Sequence, residues 1–239
     1  MYVIPAIDLM GGKAVRLLKG EKDEVTVYSD DPVSLAKQFE SEGASQLHIV
    51  DLDAAFGEND NRQIIKEIVG SVNMQVEVGG GIRDMDYLES LMTLGVSRAI
   101  IGTAAFRDHA FFDSALKRFG DRIALSFDLK DGRVAIRGWV EPVEGDPIAI
   151  LQDFQSKGLK YIIYTDISRD GTLAGPDVEG TATIAAMTNI NVIASGGVSS
   201  LVDLKALKDA GGIYGAITGK AVYEKKFTVK DAVALIEND

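Results

Sequence analysis

Apolar and polar positions follow one rhythm along this chain. Short runs rich in Val, Ile, Leu and Ala, apolar on both faces, lie near 2–8, 46–51, 75–79, 98–102, 122–128, 160–166, 191–195 and 213–218. Strands buried on both faces read this way, as in parallel sheets covered by helices. Between them lie amphipathic segments with helix start and stop signals. Asp31-Pro32 opens one that ends at Gly43, Asp84 one that ends at Gly95, Asp146-Pro147 one that ends at Gly158, and Ser199 or Ser200 one that ends at Gly211. Others lie near 60–69, 108–119, 178–188 and 228–237. Eight βα units in 239 residues, with no linker, predict an α/β fold of the (β/α)8 TIM barrel type as one domain over 1–239. A doubly wound sheet is the alternative.

The rhythm also repeats over half the chain. Val3–Ile7 ends on Asp8, Gly11-Gly12 turn the chain, and Lys13–Arg16 follow; Ile123–Phe127 ends on Asp128, a Gly-containing turn follows, then a segment carrying Arg137 and Trp139. The two aspartates are 120 residues apart (128 − 8). Leu47–Asp51 matches Ile162–Asp166, Gly80-Gly81 matches Gly196-Gly197, and Gly102-Thr103 matches Gly219-Lys220, in the same order and at nearly the same offset. Duplication of a half-barrel, approximately 1–120 and 121–239, is expected. It favours the barrel over the doubly wound sheet, since two matching four-unit halves close into a ring.

Composition narrows the function classes. A net charge of −11 argues against a nucleic-acid partner, which requires a basic face. It leaves a small anionic ligand possible, because fields from distant surface charges decay over about 8 Å at physiological salt. The absence of cysteine removes disulfides, thiol nucleophiles and thiolate metal sites. No stretch is long and apolar enough to span a membrane, and Met1-Tyr2 runs straight into a strand-like segment without a basic stretch, so no signal peptide is expected. A cytoplasmic monomer is the expectation. His48 and His109 are the only histidines and do not suggest a metal cluster; His48 reads as a core or hydrogen-bonded residue and His109 as a solvated one.

Two segments, Leu9–Asp30 and Leu129–Gly145, are longer than ordinary βα loops and follow strands 1 and 5, which are opposite in an eight-strand ring. Active sites of such barrels lie at the C-terminal strand ends, so Asp8 and Asp128 are expected to face each other across the mouth, each beside a long loop. Paired carboxylates suit acid–base chemistry, in which one group takes a proton and the other gives one. An aspartate ordinarily titrates near 3.9, and keeping one protonated near pH 7 requires roughly 4 kcal/mol from burial or a neighbouring negative charge. A lone strand-end Asp can equally well cap the next helix; the symmetric pair favours chemistry.

The glycine motifs point to anions. Gly79-Gly80-Gly81 and Gly196-Gly197 end strands 3 and 7, and Gly102-Thr103 and Gly219-Lys220 end strands 4 and 8. Small residues admit close backbone approach, and a following helix N-terminus offers free N–H groups and a positive dipole end. Barrels commonly hold one phosphate at loops 7 and 8; here loops 3 and 4 duplicate that site. Two opposed anion sites imply a small-molecule substrate with a phosphate at each end and its reacting bond between the aspartates.

Ile4-Pro5-Ala6-Ile7-Asp8-Leu9, His48-Ile49-Val50-Asp51-Leu52-Asp53, Gly79-Gly80-Gly81-Ile82-Arg83, Gly102-Thr103-Ala104-Ala105, Thr165-Asp166-Ile167-Ser168-Arg169-Asp170-Gly171-Thr172 and Ser195-Gly196-Gly197-Val198 together resemble the ProFAR isomerases of histidine biosynthesis. The resemblance runs from end to end. It implies an Amadori rearrangement of a phosphoribosyl aminoaldose to the aminoketose, on a bisphosphorylated substrate, with no metal and no organic cofactor. It also implies that Asp8 moves the sugar C2 proton and that Asp128 opens the ribose ring by protonating its oxygen. Thr165 and Asp170, in the segment running to Gly171, match positions lining the site. Two relatives are close. The cyclase subunit of imidazole glycerol phosphate synthase usually carries Cys where this chain has Ala6. The bifunctional isomerase that also rearranges phosphoribosyl anthranilate usually has Ser-Gly-Gly where this chain has Gly79-Gly80-Gly81, although His48–Gly57 and Arg137-Gly138-Trp139 are reminiscent of it.

The single Trp, Trp139, lies beside Arg137 in the second long segment, and Ala14-Val15-Arg16 parallels Ala135-Ile136-Arg137. An indole can stack on the flat imidazole carboxamide of such a substrate, and Arg16 and Arg137 can donate to its carboxamide or phosphates. A loop that closes over the ligand is expected there.

Overall fold

The computed structural model describes residues 1–18 and 21–237. Lys19 and Gly20, within the first expected loop, and Asn238 and Asp239, at the end of the expected domain, lie outside the described residues. In chain order the elements are β1 (Tyr2–Met10), β2 (Lys13–Leu18), β3 (Glu21–Ser29), α1 (Pro32–Ser41), β4 (Gln46–Asp51), α2 (Leu52–Phe56), α3 (Arg62–Val69), β5 (Gln75–Gly79), α4 (Met85–Thr93), β6 (Arg98–Ile101), α5 (Thr103–Arg107), α6 (His109–Phe119), β7 (Ile123–Lys130), β8 (Arg133–Ile136), β9 (Glu141–Pro142), α7 (Pro147–Ser156), β10 (Tyr161–Asp166), α8 (Val178–Met187), β11 (Asn191–Ser195), α9 (Leu201–Ala210), β12 (Ile213–Thr218), α10 (Lys220–Tyr223) and α11 (Val229–Ile236).

The eight apolar runs are β1, β4, β5, β6, β7, β10, β11 and β12. Each pairs in parallel with its neighbours in that order, and the pairings β7–β10 and β12–β1 close the ring into a (β/α)8 barrel. The eight predicted helices form the outer layer. Asp31, Asp84 and Asp146 each accept the N–H three residues on, which stabilises the first turn of α1, α4 and α7. Among the described residues no helix is long and apolar enough to cross a membrane.

The largest apolar cluster lies between strands and helices, with Phe112, Leu125 and Phe127 fully buried. Each such side chain contributes about 1.5–3 kcal/mol of transfer free energy. The barrel interior holds a smaller apolar layer of Ile4, Ala6, Ile100, Ala124, Ile163, Ile193 and Ile217. The interior also holds charged groups, whose burial is offset by pairing. It does so near the strand starts, where Glu77 accepts from Arg98 at 2.6 Å and Arg98 lies 3.8 Å from the Tyr161 ring centre.

The two long segments correct the expectation of loops. After Asp8, β1 continues to Met10 and folds back antiparallel on β2, which pairs with β3; after Asp128, β7 continues to Lys130 and folds back on β8, with β9 beyond it. The reversals are Gly11-Gly12 (φ 57 and 76) and Asp131-Gly132 (φ 51 and 75). Positive φ at both central residues matches the two-residue hairpin turn whose twist suits the flanking strands. Asp-Gly between alternating residues is the sequence signal for it. Asp8 lies opposite Val15 and Asp128 opposite Ala135. Three further short helices, α2, α5 and α10, follow strand ends where the sequence suggested only loops.

Candidate active site

At the C-terminal strand ends a cavity of about 1030 Å³ opens within the ring. Asp8, Arg16, Gly80, Gly81, Gly102, Thr103, Asp128, Arg137, Trp139, Thr165, Asp170, Gly171, Gly196, Gly197, Gly219 and Lys220 all line it. Asp8 ends the inward-facing series of β1 and Asp128 that of β7, four strands away in the ring of eight.

Asp8 is buried and accepts from Arg16 Nη1 at 3.1 Å. Arg16 Nη2 reaches both oxygens of Asp170, at 2.9 and 3.1 Å, across 154 residues of chain. One guanidinium thus bridges two carboxylates, with the planar fork that Arg alone provides. Burial pushes the Asp8 carboxyl up; the Arg16 charge opposes this, and Asp170 adds to the rise. Arg16 itself is held protonated: burial works against its charge, but Asp8 and Asp170 outweigh it.

Asp128 has different company. It accepts from Trp139 Nε1 at 3.0 Å and from Ser126 Oγ at 3.1 Å. Burial pushes its carboxyl up, hydrogen bonds from Thr165, Trp139 and Ser126 pull it down, and the nearby Asp170 charge pushes it up again. Thr165 is its register partner on β10. Both aspartates are therefore raised, but Asp8 sits beside the Arg16 cation and Asp128 beside neutral donors. Asp170, an Asp-Gly turn residue in sequence, raises both and is a third carboxylate of the site.

The glycine loops flank this centre. α5 and α10 begin at Gly102 and Gly219 with no side-chain cap, whereas α1, α4, α6, α7, α8, α9 and α11 are all capped by an Asp, Ser or Thr side chain. No side chain takes up the first N–H groups of α5 and α10, and these helix starts line the cavity. An anion can accept them. The glycines after β5 and β11 answer a different demand. A Cβ on Gly81 (φ 70) would stand 2.4 Å from the Ala54 carbonyl oxygen, and one on Gly197 (φ 83) 2.3 Å from that of Gly175. Adjacent backbone, of α2 at Gly81 and of the loop before α8 at Gly197, alone requires glycine there.

The hairpin registers separate two residues that sequence alignment had matched. At the 120-residue offset of the turns, Arg16 corresponds to Ile136, not to Arg137. Arg16 lies within β2 and points at Asp8; Arg137 lies past the end of β8, exposed, with φ 56, and its N–H donates to Thr103 Oγ1 at 2.9 Å. Trp139 sits in a left-handed turn (φ 69) and, rather than standing free in a loop, holds Asp128. Lys220 donates to the Gly171 carbonyl at 2.9 Å, joining the loops after β12 and β10.

Residues not assigned to the site from sequence also line the cavity, among them His48, Arg83, Arg107 and Ser126. The available signal was period two: His48 precedes Val50 and Ser126 precedes Asp128 by two positions, so each pair shares a strand face. The charged lining comprises Arg16, Arg83, Arg107, Arg137 and Lys220 against Asp8, Asp108, Asp128 and Asp170. The cavity is therefore locally cation-bearing within a chain of net charge −11.

Comparison with known proteins agrees with this geometry. A profile of the family described as Histidine biosynthesis protein matches residues 2–228. A relative from Dehalococcoides mccartyi (strain ATCC BAA-2266 / KCTC 15142 / 195) is 48% identical over 233 residues, covering 97% of this chain and 98% of the relative. One from Desulforudis audaxviator (strain MP104C) is 45% identical over 238 residues, covering 98% and 91%. One from Persephonella marina (strain DSM 14350 / EX-H1) is 45% identical over 232 residues, covering 96% of each. All three are named 1-(5-phosphoribosyl)-5-((5-phosphoribosylamino)methylideneamino) imidazole-4-carboxamide isomerase. With a family match over nearly its whole length and full-length relatives at this identity, the chain belongs to the histidine biosynthesis protein family.

Proposed function

We propose that this cavity carries out the reaction for which those relatives are named, the aldose–ketose isomerisation of a bisphosphorylated aminoaldose in histidine biosynthesis, and that Asp8 and Asp128 divide its proton transfers. The observation that carries the division is the unlike company of the two aspartates. Asp8 accepts from Arg16, whose charge favours its ionised form; that is the state a base must start in. At Asp128 burial and the negative Asp170 favour a bound proton and outweigh the uncharged donors that oppose it; that is the state an acid must start in. Asp128 then protonates the ribose ring oxygen as the ring opens to C1=N. Asp8 removes the C2 proton and returns it to C1.

The uncapped starts of α5 and α10, on opposite sides of the ring, support a phosphate at each end of the substrate. The near-matching backbone at Gly80 and Gly196 (φ 103 and 90), at Gly102 and Gly219 (φ −102 and −109), and the equal hairpin registers support descent from a duplicated half-barrel of approximately 1–120 and 121–239.

Incubating the protein with purified ProFAR tests the function, following its absorbance with and without ammonia. Ammonia-independent isomerisation is expected. Ammonia-dependent cyclisation would replace this reading with that of the cyclase.

A further inference from the structure

The two aspartates leave one proton of this reaction without a carrier. Asp128 gives a proton to the ring oxygen. Asp8 takes the C2 hydrogen as a proton, its bonding pair becomes C1=C2, and the C=N pair returns to nitrogen. To finish, C1 takes a proton from Asp8, and the C2 hydroxyl loses its own while the oxygen pair becomes C=O. That hydroxyl proton balances the one Asp128 gave, and needs an acceptor beside Asp8.

We propose that His48 Nε2 is that acceptor, a further catalytic group for the isomerisation. The proposal rests on the acid–base reading of Asp8 and Asp128. His48 is buried, lines the cavity, and comes from β4, the strand next to β1; it lies opposite Ala6, one step below Asp8. Around it the cavity floor is apolar, formed by Ala6, Ile100, Ile163 and Ile217. Its Nδ1 lies 2.8 Å from Glu77 Oε1, and Arg98 Nη1 lies 2.6 Å from Glu77 Oε2.

This chain of contacts selects the tautomer. Burial pushes the Glu77 carboxyl up, but the hydrogen bond from His48 and the adjacent Arg98 guanidinium hold the group below its ordinary value. An ionised carboxylate only accepts, so Nδ1 must carry the hydrogen, and the other nitrogen of the neutral ring is then the acceptor. Among the described residues no hydrogen-bond partner takes up Nε2. The ring thus turns a fixed lone pair toward the cavity, where a sugar hydroxyl beside Asp8 would meet it. After the transfer His48 gives the proton to solvent and Asp128 regains one, so no net proton, oxidant or reductant is consumed.

His48→Asn is the test, because its amide N–H can replace Nδ1 on Glu77 while the cavity nitrogen is lost. Product formation should fall by about 10²-fold or more, with an unchanged melting temperature. Substrate recovered from the variant in D2O should still gain deuterium at C2, because removal of that hydrogen precedes the step His48 serves. His48→Gln should show the same split. Turnover within about threefold of the parent, far below the scale of a general base, would overturn the proposal. So would loss of product and C2 exchange in equal proportion. Retention of C2 exchange in Asp8→Asn would instead overturn the role of Asp8 on which the proposal rests.

Discussion

Trp139 donates its indole N–H to the Asp128 carboxylate at 3.0 Å. The only Trp of the chain is thereby tied to the proposed acid, and stacking on a ligand ring would require that bond to be shared or given up. Trp139→Phe keeps an aromatic face and removes the donor. Since that donor pulls the Asp128 carboxyl down, its loss leaves Asp128 higher, and the basic limb of kcat, which reports the acid's deprotonation, should move to higher pH. An unmoved limb in the pH–rate profile would separate Trp139 from the acid. Saturable quenching of its emission by substrate is expected, as the ligand enters beside the only indole.

Asp8→Asn and Asp128→Asn should each lower kcat by at least about 10²-fold, the scale of acid–base groups. KM should change little if both act mainly in the transition state. Steady-state kinetics decides this, and near-normal turnover in either variant removes it from the mechanism.

Asp128→Asn should also stabilise the protein at pH 7. The folded-state carboxyl is raised above its ordinary 3.8, so between those values the folded state binds more protons than the unfolded one. Stability then falls as pH rises through that window. The neutral amide escapes this loss. Its Tm should exceed that of the parent at pH 7, and the gap should close as pH falls toward 4; each kcal/mol corresponds to roughly 2–4 °C for a chain of this size. A lower Tm at pH 7 would mean that Ser126 and Trp139 require the carboxylate more than burial opposes it.

Arg16→Met should strand Asp8 and Asp170 as unpaired carboxylates within the site. Breaking such a pair costs roughly 3–5 kcal/mol when fully buried, and somewhat less here because Arg16 retains partial exposure. Because Arg16 is the largest influence opposing the burial-driven rise of Asp8, the acid limb of kcat should move to higher pH. Chemical denaturation and a pH–rate profile measure the two effects. A destabilised variant with an unmoved acid limb would leave Arg16 a structural bridge and weaken the case for Asp8 as base.

Inorganic phosphate at tens of millimolar should raise Tm by binding the native state, and Lys220→Met should reduce the shift, since Lys220 stands at the first turn of α10. Absence of any shift in the parent would count against preformed anion sites. Gly81→Asp and Gly197→Asp are poor probes of those sites, because the added Cβ would strike adjacent backbone whether or not an anion binds.

Much of the architecture was legible along the chain, because strand and helix periodicity and Asp, Pro and Gly punctuation are local properties. Doubly apolar runs marked the parallel strands, Asp31, Asp84 and Asp146 marked helix starts, and Asp8, Asp128 and the glycine pairs marked the strand ends that line the cavity. Tertiary structure decided what depends on distant partners. Arg16 meets Asp170 only because β2 folds back over the mouth to which β10 delivers Asp170. His48 reads as an ordinary strand residue until β5 and β6 set Glu77 and Arg98 beside it. Trp139 reads as a loop residue until a left-handed turn aims it at Asp128. Proton affinity follows the same division: an Asp's ordinary value belongs to its residue type, but the burial that raises both aspartates, and the Arg16 charge beside one and the neutral donors beside the other, arise only when the ring closes.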